Sequence, residues 1–215
     1  NSAATELANL RPFVMNTHNY DIGDFENTER TLESNKITAK FNFNLGDDHK
    51  LAVKYSLVDA ENLEARSSGI NNVGFLNGSE FFKTKTSALT VELGSAIGSN
   101  FANNLVIGFT SVRDDRTPLG NPFPTVFIAD GKSNSSGDGE GISFGAEPFS
   151  TANLLDQDVF TLTNNFDIFK GNHTITIGTH NEYSKVKNLF FAFNYGEYEY
   201  STVDDFINDV NPRIY

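Results

Sequence analysis

Cysteine is missing from all 215 residues, which excludes disulfides and thiolate metal sites. Tryptophan is absent and methionine occurs once. Long apolar runs are missing too: the longest, Leu189 to Phe193, falls far short of the ~20 residues that a membrane-spanning helix needs. Basic residues are scarce, 16 Lys and Arg against 28 Asp and Glu, and the resulting net charge of −12 argues against nucleic acid as a partner. The opening Asn1-Ser2-Ala3-Ala4-Thr5 has no basic stretch leading into an apolar run and a cleavage site, so a mature or internal start is expected.

What the chain does have is phenylalanine, 20 residues of it, with 7 tyrosines, in a sequence otherwise rich in Asn, Thr and Ser. A chain that is only 38% hydrophobic places large apolar groups economically by putting them on one face of strands, where every second residue can be polar. From Lys36 this alternation is clean. Ile37, Ala39, Phe41, Phe43 and Leu45 share one face and Lys36, Thr38, Lys40, Asn42 and Asn44 the other; after a turn at Gly46 to His49, Leu51, Val53, Tyr55 and Leu57 repeat the pattern. The two segments read as an antiparallel hairpin. A second hairpin is expected over about 81–113, with Leu89, Val91 and Leu93, a turn in Ser95 to Asn103, and Leu105, Ile107 and Phe109. A third, over about 157–183, has Phe160, Leu162, Phe166 and Ile168, a turn at Lys170 to Asn172, and Ile175, Ile177 and Tyr183.

Short turns close the hairpins and long connections join them: about 1–35, 59–80, 114–156 and 184–215. Structureless loops of that length are uncommon inside a compact soluble domain. Charge divides in the same way, the long segments carrying −14 and the three hairpins +2. Short turns at one end, long acidic loops at the other, and strands of ~10 residues with one apolar and one polar face are the pattern of outer-membrane barrels. The fold expected is all-β: antiparallel up-and-down hairpins forming part of a transmembrane outer-membrane β-barrel, with Phe41, Phe43, Val53, Tyr55, Val91, Ile107, Leu162 and Ile177 facing lipid and Lys40, Asn42, Lys54, Thr90, Glu92, Thr163 and Asn165 opposite. Bacterial barrels begin at 8 strands, so six are expected to be a single segment, 1–215, of a larger barrel. The alternative is a secreted or surface β-sandwich serving as a binding or adhesion module, with calcium as its candidate ligand.

The second hairpin also carries a resemblance. Ser87-Ala88-Leu89-Thr90-Val91-Glu92-Leu93, Ser99-Asn100-Phe101-Ala102-Asn103-Asn104-Leu105, Gly108-Phe109-Thr110, Arg113-Asp114-Asp115-Arg116 and Gly120-Asn121-Pro122-Phe123-Pro124 together resemble the barrel region of TonB-dependent outer-membrane receptors of the Oar-like type. Lys36 to Asn62 is similar to an earlier barrel hairpin of those proteins, and Tyr198 to Phe206 to a segment after a later strand. The resemblance implies a transporter in the cell outer membrane. Its outer loops capture a ligand for import, and its plug domain is rearranged through TonB. Its partners would be outer-membrane lipid, the plug domain and other barrel strands, TonB and the imported ligand. A TonB box, a plug domain, a carboxypeptidase-like N-terminal domain and a terminal aromatic strand are not recognisable in the sequence, so the chain is expected to supply wall and loops only.

No catalytic, cofactor or metal residues are expected. His49 and His173 fall at turns, His180 on a polar strand face, and with His18 they form no pair at ligand spacing. No serine sits in a nucleophile-elbow context, so an enzyme is not expected. Asp130 to Gly141 spaces oxygen donors between glycines, with Asp138 and Glu140 as candidate calcium ligands, but it lacks the bidentate Glu of an EF-hand loop and is expected to be a loop tip. Arg113 to Arg116 is expected to form ion pairs at a strand end. Asn77-Gly78-Ser79, Asn134-Ser135-Ser136 and Asn172-His173-Thr174 match the glycosylation acceptor pattern, which carries little weight in a bacterial-looking chain.

Overall fold

Residues that alternate in sequence need a pleated partner of the same period, and each hairpin finds one in the next. In the computed structural model, which describes residues 2–26, 28–65, 72–129 and 141–214, six long strands form one sheet: β1 (Leu32–Leu45), β2 (His49–Glu64), β4 (Glu80–Ile97), β5 (Phe101–Pro118), β8 (Asn153–Lys170) and β9 (His173–Phe190). Their order, β1-β2-β4-β5-β8-β9, is the order of the chain, and every pair is antiparallel. The three closing turns each contain a glycine with left-handed backbone, Gly46 (φ 77°), Gly98 (φ 61°) and Gly171 (φ 61°), a conformation that a side chain would strain.

Cross-strand partners in an antiparallel pair lie on the same face, so the register assigns both faces directly. Phe41, Val53, Val91, Ile107 and Leu162 form one continuous row. Ala39, Tyr55, Leu89, Phe109, Phe160 and Tyr183 form the next row on that face, while Phe43 and, through Leu45 and Phe166, Ile177 also share it. Lys40, Lys54, Thr90, Gly108, Thr161 and Glu182 make a row on the opposite face, and Asn42, Glu92, Thr163 and Asn165 join them there.

The strands run further than the alternation signals. The hairpins expected over about 36–58, 81–113 and 157–183 extend over 32–64, 80–118 and 153–190. An 18-residue strand is about 60 Å long, roughly twice the height of an outer-membrane apolar band even before tilt is counted. Beyond that band charged and amide residues interrupt the alternation, as at Asp59 to Glu64 and Arg113 to Arg116, while the hydrogen-bond ladder continues.

The connections are correspondingly shorter than expected, and they are folded. The segment before β1 holds the helix α1 (Ser2–His18). The other three hold β3 (Asn72–Gly74) with a 3-10 turn at Leu76–Gly78; β6 (Thr125–Ile128) and β7 (Gly141–Phe144); and β10 (Glu197–Tyr200), α2 (Val203–Asn208) and β11 (Arg213–Ile214). The short strands assemble a second sheet, β11-β10-β6-β7-β3, in which β6–β10 and β3–β7 run parallel. The antiparallel up-and-down hairpins expected from the sequence are the long sheet; the parallel pairs are confined to the small sheet, whose strands come from different connections and approach from independent directions.

This second sheet and the helices enclose the core of the molecule. Leu10 and Val14 of α1, Tyr20, Ile22, Phe75, Val126, Ile128, Ile142, Phe144, Tyr200, Val203 and Phe206 form one buried cluster, and none of them comes from the six long strands. We call this unit the cap. Its packing is aromatic: Phe144 meets Phe75 and Phe206 edge to face at centroid distances of 6.2 and 5.2 Å, and Tyr20 stacks on Phe123 at 4.1 Å. The long sheet has no comparable core. Its apolar face is open, with Tyr183 76%, Ile177 63% and Phe41 61% exposed.

Candidate functional site

The open apolar face fixes where the sheet can sit. Exposed large hydrophobics on it run from Ile97, Phe101 and Ile175 at the turn end to Ile37, Tyr55, Phe109, Phe160 and Tyr183. On the same face, two rows nearer the cap, the register changes to Asp59, Lys85, Arg113, Asp156 and Lys187. Lys85 pairs with Asp59 at 3.6 Å, Lys83 with Glu61 at 3.0 Å, and Arg113 with Asp158 at 2.6 Å and Asp156 at 3.8 Å. A charge on a lipid-facing position near midplane costs about 2–4 kcal/mol, so hydrocarbon ends between these rows. The aromatic row of Tyr55, Phe109, Phe160 and Tyr183 lies at that boundary, the level that aromatic girdles occupy.

Past the boundary, the strand ends carry a carboxylate cluster on the polar face. Glu80 lies across from Glu64 at the start of β4, beside Glu147 and Arg116, and Arg116 Nη1 reaches Glu80 Oε1 at 3.7 Å. The guanidinium also lies over the Phe82 ring, 5.0 Å from its centroid. Burial, then the neighbouring Glu147 carboxylate, push the Glu80 carboxyl up to about 7 against the opposing pull of Arg116. A carboxyl raised above its unfolded value holds its proton more tightly in the folded chain. Its stabilising contribution is therefore whole below the ordinary carboxylate range and is lost as pH rises through about 7. Unfolding followed by tyrosine fluorescence is expected to show about 1–2 kcal/mol less stability at pH 8 than at pH 5, a difference that Glu80→Gln should flatten. An equal pH response in that variant would assign the effect to other groups.

Further hydrogen bonds hold the cap together. Arg11 of α1 donates from Nε and Nη2 to both oxygens of Asp21, at 2.7 and 2.9 Å, and reaches Asp24 through Nη1. The hydrogen bond from Arg11, then one from the Gly23 N–H, holds the Asp21 carboxyl below the usual carboxylate range. Asn77 donates through Nδ2 to the Asp21 carbonyl at 2.6 Å. Thr202 caps α2, its hydroxyl accepting from the Asp205 N–H at 3.1 Å.

The residues singled out from sequence are dispersed. Arg113 and Arg116 form ion pairs on opposite faces of β5, and Asp114 accepts from Thr84 Oγ1 at 2.8 Å. His49 and His173 open β2 and β9, and His180 bonds Thr163 Oγ1 at 2.7 Å on the polar face. His18 ends α1 among the rings of Phe13, Phe123 and Phe206. No group of three or more His, Asp or Glu able to hold a metal occurs among the described residues. Asp130 to Glu140, with Asp138, lies outside those residues.

A family model described as outer membrane beta barrel domain matches residues 1–209. The chain belongs to that family. No curated protein and no solved structure gives a match. This barrel domain resides in the cell outer membrane, and its lipid-facing band is the apolar face described above. The β-sandwich alternative is set aside, because the long sheet's apolar side chains lie exposed instead of packing on a second sheet. Membership assigns a barrel domain and its lipid surroundings; neither a ligand nor an energy source is part of it.

Proposed function

We propose that the chain supplies wall strands and an outward-facing cap to a TonB-dependent outer-membrane transporter of the Oar-like type, which captures a substrate at the cap and imports it. One observation carries this reading: the long sheet ends at one side in three tight turns and at the other in a cap with its own aromatic core. Outer-membrane barrels keep short turns toward the periplasm and elaborate the extracellular side, which puts the cap where a ligand arrives. The polar face, with Lys40, Lys54, Thr90 and Glu182 in one row, suits a wet lumen able to hold a plug.

The sheet is open, since among the described residues β1 pairs only with β2 and β9 only with β8. An unpaired strand edge in lipid costs several kcal/mol per group, so further strands of the same receptor close the barrel in this reading. The receptor and its ligand do the transport together with a plug and TonB, and no enzyme activity is assigned. Protease added to intact cells should cleave in the connections 59–80 or 114–156 and spare the turns at 46–49 and 170–172. Cleavage at Gly171 alone would invert the topology. Loss of TonB should abolish accumulation of the substrate while leaving its surface binding intact. Accumulation unaffected by TonB would overturn the transport reading.

A further inference from the structure

One cavity in the cap has a lining that selects for a class of ligand. It measures about 360 Å³, within the range of small-molecule sites, and it opens between the end of α1, the strands β6 and β10, and α2. Phe13, His18, Phe123, Tyr198, Tyr200 and Phe206 provide its walls. The rings meet edge to face, Phe13 with Phe206 at 5.8 Å and Tyr200 with Phe206 at 5.3 Å, so that they surround a space instead of closing it by stacking.

The acidic group of the lining is Asp209, which shares the cavity wall with the His18 imidazole and the Thr17 hydroxyl. Asp209 supplies a carboxylate, oriented by the Tyr200 hydroxyl, which donates to its Oδ1 at 3.0 Å. No Lys or Arg lines the cavity. The C-terminal turn of the 17-residue α1 borders it through Thr17 and His18, and a helix C-terminus carries partial negative charge. Aromatic faces with a carboxylate favour a cation whose charge is spread over alkyl groups, because such an ion loses little hydration and gains attraction to each ring.

We propose that this cavity is a binding site for a small organic cation, an alkylated ammonium group. The site stands in the cap whether or not the barrel imports what it binds, and its test needs no uptake.

The test uses the full receptor purified in detergent and titrated calorimetrically with choline, with its neutral isostere 3,3-dimethylbutan-1-ol, and with methyl β-glucoside. Choline is expected to bind at least about tenfold more tightly than the isostere. Asp209→Asn is expected to weaken choline by a similar factor. That variant keeps an acceptor for Tyr200, and asparagine suits the left-handed backbone at this position (φ 52°). Tyrosine near-ultraviolet circular dichroism establishes that each protein keeps its cap. Equal affinity for choline and the alcohol would make the cavity merely apolar and overturn the proposal. So would undiminished choline binding by the variant, preference for the glucoside, or no choline binding by a folded cap.

Discussion

Ile107→Arg is expected to cost about 2–4 kcal/mol of barrel stability, measured by urea unfolding of the receptor in lipid vesicles. Ile107 sits in the row Phe41, Val53, Val91, Leu162, between the turn-end apolar residues and the aromatic boundary row, close to the middle of the lipid band. Its neighbour Val106 supplies the contrast. Val106 lies across from Glu92 and Thr163 on the polar face, so Val106→Arg should change stability by only about 0.5 kcal/mol. A one-residue step thus separates a large loss from almost none, because successive strand residues face opposite sides. Equal costs at the two positions would mean that lipid does not contact the apolar face.

Phe75→Ala should instead strike the cap, with an expected loss of about 3–5 kcal/mol. Phe75 is fully buried, meets Phe25 and Phe144 edge to face, and lies in a core to which the long strands contribute nothing. The cap is held by water-driven burial of apolar surface, whereas the wall is held by its hydrogen-bond ladder against lipid. Hydrogen exchange in the variant should therefore show lost protection in β6, β7 and β10, while the heat-modifiable gel migration of the barrel remains. Loss of both together would show that cap and wall form one cooperative unit.

The wall was legible in the sequence because lipid demands a period of two. Phe41, Val53, Val91, Ile107, Leu162 and Ile177 announce their face by that period, and the register places them together. Strand ends were harder to read. Glu61 to Glu64 and Asp114 to Pro118 are strand, yet with polar residues on both faces they give no alternation to detect. The cap was missed for a different reason. Its strands have two to four residues, too few for any period, and they pair across long stretches of chain. Only α1 left a usable signal: Leu7, Leu10 and Val14 fall at helical spacing toward the core, although Pro12 and the polar residues between them obscure it. The cavity-lining Phe123, Tyr198 and Tyr200 lie within segments that carry the family resemblance, but nothing in their order indicates that they share a cavity.

The weaving of the small sheet has a consequence for how the protein is made. Val126 of β6 pairs with Tyr198 of β10, and Val73 of β3 with Ile142 of β7, so three separate connections must arrive before the sheet can form. Closing such distant segments early would cost chain entropy with nothing yet gained, so the cap should be the last part to fold. It then acts as a gauge of the strands beneath it. A hairpin slipped by two residues would displace its connection by about 7 Å, and the short strands could no longer meet. A formed cap is in effect a proofread: it exists only on molecules whose staves were laid in the correct register, and a ligand that requires the cap would bind only those.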